Sequence, residues 1–256
     1  MRSHFSKILT GLLLSSALAA GTAMAETRSA VPDQQLAAKI TQKLQKDKKF
    51  RDVRVAVQGG AVSLQGTVER YADKLKAERE ARHTGHVASL NDQISVAGVA
   101  LSDAELQDKL ARKLAYDRVG YGHVFNALAL RVKDGVATVS GEVLNSVDRD
   151  SAVSIVQNQP GVKDVVDRIQ VLPTSPFDDD VRLRALRAIY GDPVLSRYGM
   201  VPALPIRIIV VNGHIGLYGV VDSAMDKQIA GMRANQVFGA FSVENHLVVG
   251  NSEKVG

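Results

Sequence analysis

Five lysines near the start of the chain have the type and spacing for electrostatic work. Lys39, Lys43 and Lys46 recur at i, i+4 and i+7, and Lys48 and Lys49 follow at once. At helical spacing the first three make a basic stripe beside the apolar stripe of Leu36, Ile40 and Leu44. Such a stripe can grip anionic lipid headgroups, at about 1 kcal/mol per basic residue near a charged surface; the plainer reading is a solvated helix face. A second candidate is the run Tyr198-Gly199-Met200-Val201-Pro202-Ala203-Leu204-Pro205, unusually apolar for an insertion. Tyr198, Met200, Val201 and Leu204 are expected either to contact a membrane or partner, or to fold over a core. The chain has no tryptophan, so the best interfacial anchor is missing and peripheral contact is expected.

Other chemistry finds little to stand on. His83 and His86 are three apart, which can place two imidazoles on one helix face, but no third ligand recurs beside them. Ser63 and Ser140 lie in or at the end of expected strands, outside any Gly-x-Ser-x-Gly turn. No phosphate-cradling glycine-rich loop opens a helix. The absence of cysteine excludes disulfides, thiolate metal sites, cysteine nucleophiles and a lipoprotein cleavage site. A non-enzymatic protein without a cofactor or metal is expected.

The first 25 residues read as a Sec-type signal peptide. Arg2 and Lys7 supply the positive region, Ile8 to Ala20 is apolar or small, and Ala23-Met24-Ala25 is a small-x-small cleavage site. The apolar run is too short and wrongly flanked for a membrane span. Cleavage after Ala25 and a periplasmic location are expected. The net charge of +5 loses two basic residues with the signal, leaving +3. Residues 32–98 carry 12 basic and 8 acidic side chains, whereas 102–172 carry 9 and 10, and 177–250 carry 7 and 7. The positive field thus belongs to the first segment and favours anionic partners. Nucleic acid is not expected outside the cytoplasm.

The elements that must hold these residues are written three times. Gly59-Gly60-Ala61-Val62-Ser63-Leu64-Gln65-Gly66 recurs as Asp134-Gly135-Val136-Ala137-Thr138-Val139-Ser140-Gly141 and as Asn212-Gly213-His214-Ile215-Gly216-Leu217-Tyr218-Gly219. A spacing held over three copies means three small units of one fold. Each opens with an acid, Asp33, Asp103 or Asp178, expected to cap an amphipathic helix. An alternating strand leads into Gly-Gly, Asp-Gly or Asn-Gly, dipeptides that accept positive φ in a two-residue hairpin, so Gly60, Gly135 and Gly213 mark turns. Gly66, Gly141 and Gly219 are expected where a Cβ would collide with a second helix, near 69–83, 144–158 and 222–236. Ala77, Ala152 and Ala230 suit close packing of that helix. In the last strand Asp92, Asp167 and Asn245 share the parity of the apolar positions and are expected to tie down backbone N–H groups rather than to hold a ligand.

These phrases resemble the BON domain, with its turn glycine, glycine-ended second strand and late Gly-Val-x-x-Val-x-Asn-x-Leu-x-Val. Residues 161–171 match that last part; residues 239–249 carry Asn245 in its Asn slot; the first copy departs, with His86 for the late glycine and Asp92 in the slot. With its signal peptide and tandem units, the chain is similar to the osmotically inducible periplasmic protein Y family. The fold expected is α+β, three tandem α-β-β-α-β domains over 32–97, 102–172 and 177–250. Each should be a three-stranded sheet with two helices on one face. The resemblance implies a protein that engages anionic phospholipid surfaces, or else holds exported client proteins as a chaperone or scaffold, under osmotic or envelope stress.

Overall fold

The computed structural model describes residues 19–116, 124–201 and 203–250. Two compact units make up the chain: residues up to 66 together with 77–94, and residues 67–76 together with 95 onward. The expected signal-peptide positive region and most of its apolar run lie outside the described residues.

The first repeat is α1 (Ala19–Gln45), β1 (Arg54–Gln58), β2 (Ala61–Val68), α2 (Tyr71–Arg82) and β3 (Ser89–Val96). The second is α3 (Asp103–Tyr116), β4 (Ala127–Lys133), β5 (Val136–Val143), α4 (Ser146–Gln157) and β6 (Asp164–Val171). The third is α5 (Pro176–Tyr190), β7 (Ile206–Val211), β8 (His214–Val221), α6 (Ala224–Asn235), β9 (Ser242–Asn245) and β10 (Val248–Val249). Three separate sheets result, in the orders β1-β2-β3, β4-β5-β6 and β7-β8 with β9 and β10. The arrangement is α+β.

Within each sheet the hairpin is antiparallel and the last strand returns parallel beside β5 or β8. Val136 sits opposite Asp164, His214 opposite Ser242 and Val220 opposite Val248, so the same offset of 28 holds throughout. The third sheet differs from expectation only in that its last strand is broken into β9 and β10 at His246 and Leu247.

All six turn residues take positive φ: Gly59 and Gly60, Asp134 and Gly135, Asn212 and Gly213. This is the left-handed pair that a type I′ hairpin demands, and glycine, aspartate and asparagine enter it at least cost. The opening acids bind these turns rather than their own helix ends. Asp33 accepts from the Gly59 and Gly60 amides at 2.6 and 3.0 Å. Asp103 accepts from Asp134 and Gly135 at 2.7 and 2.9 Å, and Asp178 from Asn212 and Gly213 at 3.0 and 2.8 Å. The expected capping role is therefore corrected. Asp33 lies inside α1, which begins upstream at Ala19 and carries Pro32 in its interior. The caps come from serine: Ser175 accepts from the Asp178 amide, and Ser102 with Glu105 makes a reciprocal capping box.

Gly66, Gly141 and Gly219 take φ of +132°, +112° and +115°. A Cβ there would overlap the carbonyl oxygen of Asp52, Ala127 or Pro205, in the chain entering the first strand of the same hairpin. The expectation of a collision with the second helix is replaced: the neighbouring strand backbone fills that space.

The apolar faces close as alternation requires. Val62 and Leu64, Ala137 and Val139, Ile215 and Leu217 are buried on β2, β5 and β8, and Ala77, Ala152 and Ala230 are buried on α2, α4 and α6. In the second repeat Leu106 and Leu110 of α3 and Ala152 and Val156 of α4 share one cluster with Val139 and Ile169, so both helices cover one sheet face. The third core also takes Val124, Phe125 and Leu144 from the second repeat.

Candidate binding surfaces

The basic stripe is built on α1. Ile40 and Leu44 are fully buried and hold the helix by one face. Lys39 and Lys46 consequently point to solvent. Lys43 is engaged: its Nζ lies 2.8 Å from a Glu80 carboxylate oxygen on α2. Lys48 and Lys49 fall in a single 3-10 turn, Lys48–Phe50, where the Asp47 carboxylate accepts from the Lys49 amide and Phe50 is buried as an anchor. The stripe thus presents Lys39, Lys46 and Lys48 outward, with Lys43 answered by an acid.

The loop before β7 divides into inward and outward residues, so the two roles expected of it fall to different side chains. Tyr198, in the 3-10 turn Ser196–Met200, is 3% exposed. Its hydroxyl accepts from the Asp222 amide at 2.7 Å and donates to Asp226 at 2.9 Å. Arg197 donates to Asp226 at 2.6 Å and stacks over the Tyr198 ring. Burial alone pushes the Asp226 carboxyl up, but hydrogen bonds from Ser223, Tyr198 and Arg197 outweigh it and hold the group below the usual carboxylate range. Burial also raises the Tyr198 hydroxyl. Leu204 packs on the third core. Only Met200, 87% exposed, and Val201 face out; Pro202 lies outside the described residues. Turn residues carry no period, so nothing in their order marks which of them turn inward.

The late-strand polar residues act on backbone. Oδ1 of Asp92, Asp167 and Asn245 accepts from the amide two residues on, that of Ile94, Ile169 and Leu247, at 2.9, 2.9 and 3.2 Å. Asp167 also meets Arg149 of α4, and Asn245 donates to the Lys227 carbonyl of α6, so strand and helix are tied together. His83 Nδ1 lies 2.7 Å from the Arg79 carbonyl, in helix-end geometry. Among the described residues no group of three His, Cys, Asp or Glu side chains is placed to hold a metal ion. No helix among them is long and apolar enough to cross a membrane.

Two further features escaped the sequence reading. A 930 Å³ cleft opens within the second unit between β4 and β7, lined by Leu114, Leu128, Arg168, Pro205, Arg207 and Tyr218 among others. Three phenylalanines, Phe177, Phe238 and Phe241, stand exposed on the third repeat. Neither signals itself in one dimension, because each joins segments far apart in sequence.

Against known proteins, the model of the BON domain matches residues 32–98, 102–173 and 194–251. The chain belongs to the BON-domain family. It is similar to osmotically-inducible protein Y of Escherichia coli K12, 28% identical over 194 residues that cover 64% of this chain and 94% of that protein. Among solved structures, the C-terminal domain of CdsD, the structural protein of the Chlamydia trachomatis type III secretion system, aligns over 84% of this chain and 96% of its own at 15% identity, with a TM-score of 0.24. A second CdsD structure gives 15% and 0.23, over 86% and 95%. Superposition that loose carries no argument about fold or function. BON membership covers all three sheets, and it accounts for the recurring turn and glycine positions as features of one repeated unit.

Proposed function

We propose that this BON-domain protein is a non-enzymatic protein of the periplasm, exported by cleavage after Ala25, that associates peripherally with anionic phospholipid surfaces under osmotic or envelope stress. The observation that carries the reading is the outward set Lys39, Lys46 and Lys48 on a segment anchored by buried Ile40, Leu44 and Phe50. Three such charges supply about 3 kcal/mol of headgroup attraction at low salt. The osmotic association is supported by the name of the Escherichia coli relative. Co-sedimentation with vesicles of neutral and of anionic lipid, at low and high salt, tests it. Binding is expected to be much stronger with anionic lipid, and that excess is expected to weaken steeply with salt.

A second reading is a chaperone or scaffold for exported proteins. Exposed Met200 and Val201 and the cleft of the second unit favour it, since both offer apolar surface to an extended client. Salt separates the two, because apolar capture does not weaken with screening.

A further inference from the structure

Half of the six phenylalanines in this chain meet at one place. Phe177 lies in the first turn of α5; Phe238 and Phe241 lie in the turn between α6 and β9. The Phe177 and Phe241 rings stack with centroids 5.8 Å apart, and His214 meets the Phe241 ring edge-on at 6.1 Å. The three are 45%, 85% and 70% exposed. Folding alone does not account for this, because a core residue type is held in water on a turn whose shape is fixed by hydrogen bonds.

The backbone of that turn is hydrogen-bonded, as it is at the equivalent turn of the second repeat, where the Lys163 amide donates to the Gly135 carbonyl and the Val162 amide to the Gln159 carbonyl. The Phe241 amide donates to the Gly213 carbonyl at 2.8 Å and the Ala240 amide to the Val237 carbonyl at 3.1 Å. The Phe238 carbonyl accepts from Arg184 at 3.0 Å. The Arg184 guanidinium lies 5.6 Å from the centroid of the Phe238 ring, with Asp180 3.5 Å away. Paired backbone is what an apolar boundary requires of any segment entering it, and an arginine at the base of the rings can reach back to phosphate while its stem lies among acyl chains. Area decides between partners. Three rings at these exposures offer roughly 300–500 Å², whereas a stable protein contact takes about 800 Å² from each side. A second copy of the chain or a folded protein is poorly served by so small a patch, but a bilayer surface is not, since a few aromatic rings suffice for shallow seating.

We infer that Phe177, Phe238 and Phe241 form a shallow insertion tip that seats the third repeat at the headgroup–acyl boundary of a phospholipid bilayer. The inference rests on the proposal that the protein works at a lipid surface, but it names a contact that needs apolar depth rather than anionic charge.

Because the chain has no tryptophan, Phe238→Trp introduces a single fluorescent reporter at the most exposed ring. With vesicles of phosphatidylcholine alone, and with vesicles also containing phosphatidylglycerol, its emission is expected to shift to the blue and to be quenched by lipids brominated near the headgroup end of the acyl chain. A Phe238→Ser/Phe241→Ser chain, checked for native circular dichroism, is expected to lose at least about fivefold in partitioning to both vesicles. Combining Phe238→Trp with Lys39→Glu, Lys46→Glu and Lys48→Glu separates the two ideas. If charge reversal abolishes the preference for anionic lipid and the tryptophan still shifts on neutral vesicles, the tip stands. Unchanged emission at lipid concentrations that sediment the protein overturns the tip and leaves the basic stripe as the lipid contact. A blue shift that depends on protein concentration without lipid also overturns it, and assigns the rings to self-association.

Discussion

Adding one methyl group at Gly66 and at Gly59 separates steric need from conformational freedom. Gly66 lies in β2 and Gly59 in the hairpin turn, and both take positive φ, +132° and +58°. A Cβ at Gly59 meets nothing within 4 Å. Gly59→Ala therefore pays only the left-handed conformation, about 1–2 kcal/mol. At Gly66 the new Cβ overlaps the Asp52 carbonyl oxygen and lies 3.1 Å from Val53 Cα. The strand cannot swing away freely, because Val53 is buried. Gly66→Ala combines a backbone region that alanine avoids, about 1–3 kcal/mol, with displacement of packed backbone, about 1–3 kcal/mol. About 2–6 kcal/mol is expected in all. Native-state hydrogen–deuterium exchange of the peptide covering β1 and β2 reads the difference locally. Exchange should accelerate roughly thirtyfold or more in Gly66→Ala and roughly five- to thirtyfold in Gly59→Ala. Equal acceleration in the two variants would show that positive φ alone explains the recurring glycine, and that the strand contact is incidental.

Asp103 gives a pH test. Hydrogen bonds from the Gly135 amide and then the Asp134 amide hold its carboxyl below the ordinary value. A depressed folded value means stability that is present above about pH 4 and is lost as pH falls through the folded value; urea midpoints of Asp103→Asn should decline less below pH 4 than those of wild type. Tyr198→Phe removes the donor to Asp226 from a buried site and should cost about 1–3 kcal/mol, whereas Met200→Ser should leave thermal unfolding within about 0.5 kcal/mol of wild type; a silent Tyr198→Phe would mean that the ring alone matters. Asn245→Ala loses bonds to both the Leu247 amide and the Lys227 carbonyl, so amide exchange in β9 and at the start of α6 should rise together, and exchange that rises in β9 alone would deny the strand–helix tie.

The hairpins were legible because type I′ turns restrict their residues so strongly that Gly-Gly, Asp-Gly and Asn-Gly name themselves. Helix faces followed from Ile40 and Leu44, and from Leu106 and Leu110, at a spacing of four. Long-range partners were not legible. Asp33, Asp103 and Asp178 look like helix caps in one dimension, and only the closed hairpin brings turn amides 26 to 35 residues away to their carboxylates. Tyr198 reads as part of an apolar loop until Asp226 and the Asp222 amide are seen to satisfy its hydroxyl. The stripe of lysines was visible, but the Glu80 partner that engages Lys43 comes from another helix. Phe177 and Phe238 are separated by α5, β7, β8 and α6, so no local pattern announces their meeting.

Binding of the charge-reversed chain to anionic vesicles bears most directly on the proposed function. Lys39→Glu, Lys46→Glu and Lys48→Glu leave Ile40, Leu44 and Phe50 in place, and leave the Lys43 pair with Glu80 intact. Exposed charges contribute little to folding, so the circular dichroism spectrum and unfolding midpoint should match wild type. Removing three attractions of about 1 kcal/mol each, and replacing them with repulsion, should weaken association with anionic vesicles by at least about a hundredfold at low salt. Binding to neutral vesicles should hardly change. A folded variant that binds anionic vesicles as wild type does, at both salt levels, would contradict the headgroup reading and leave the lysines as a solvated helix face.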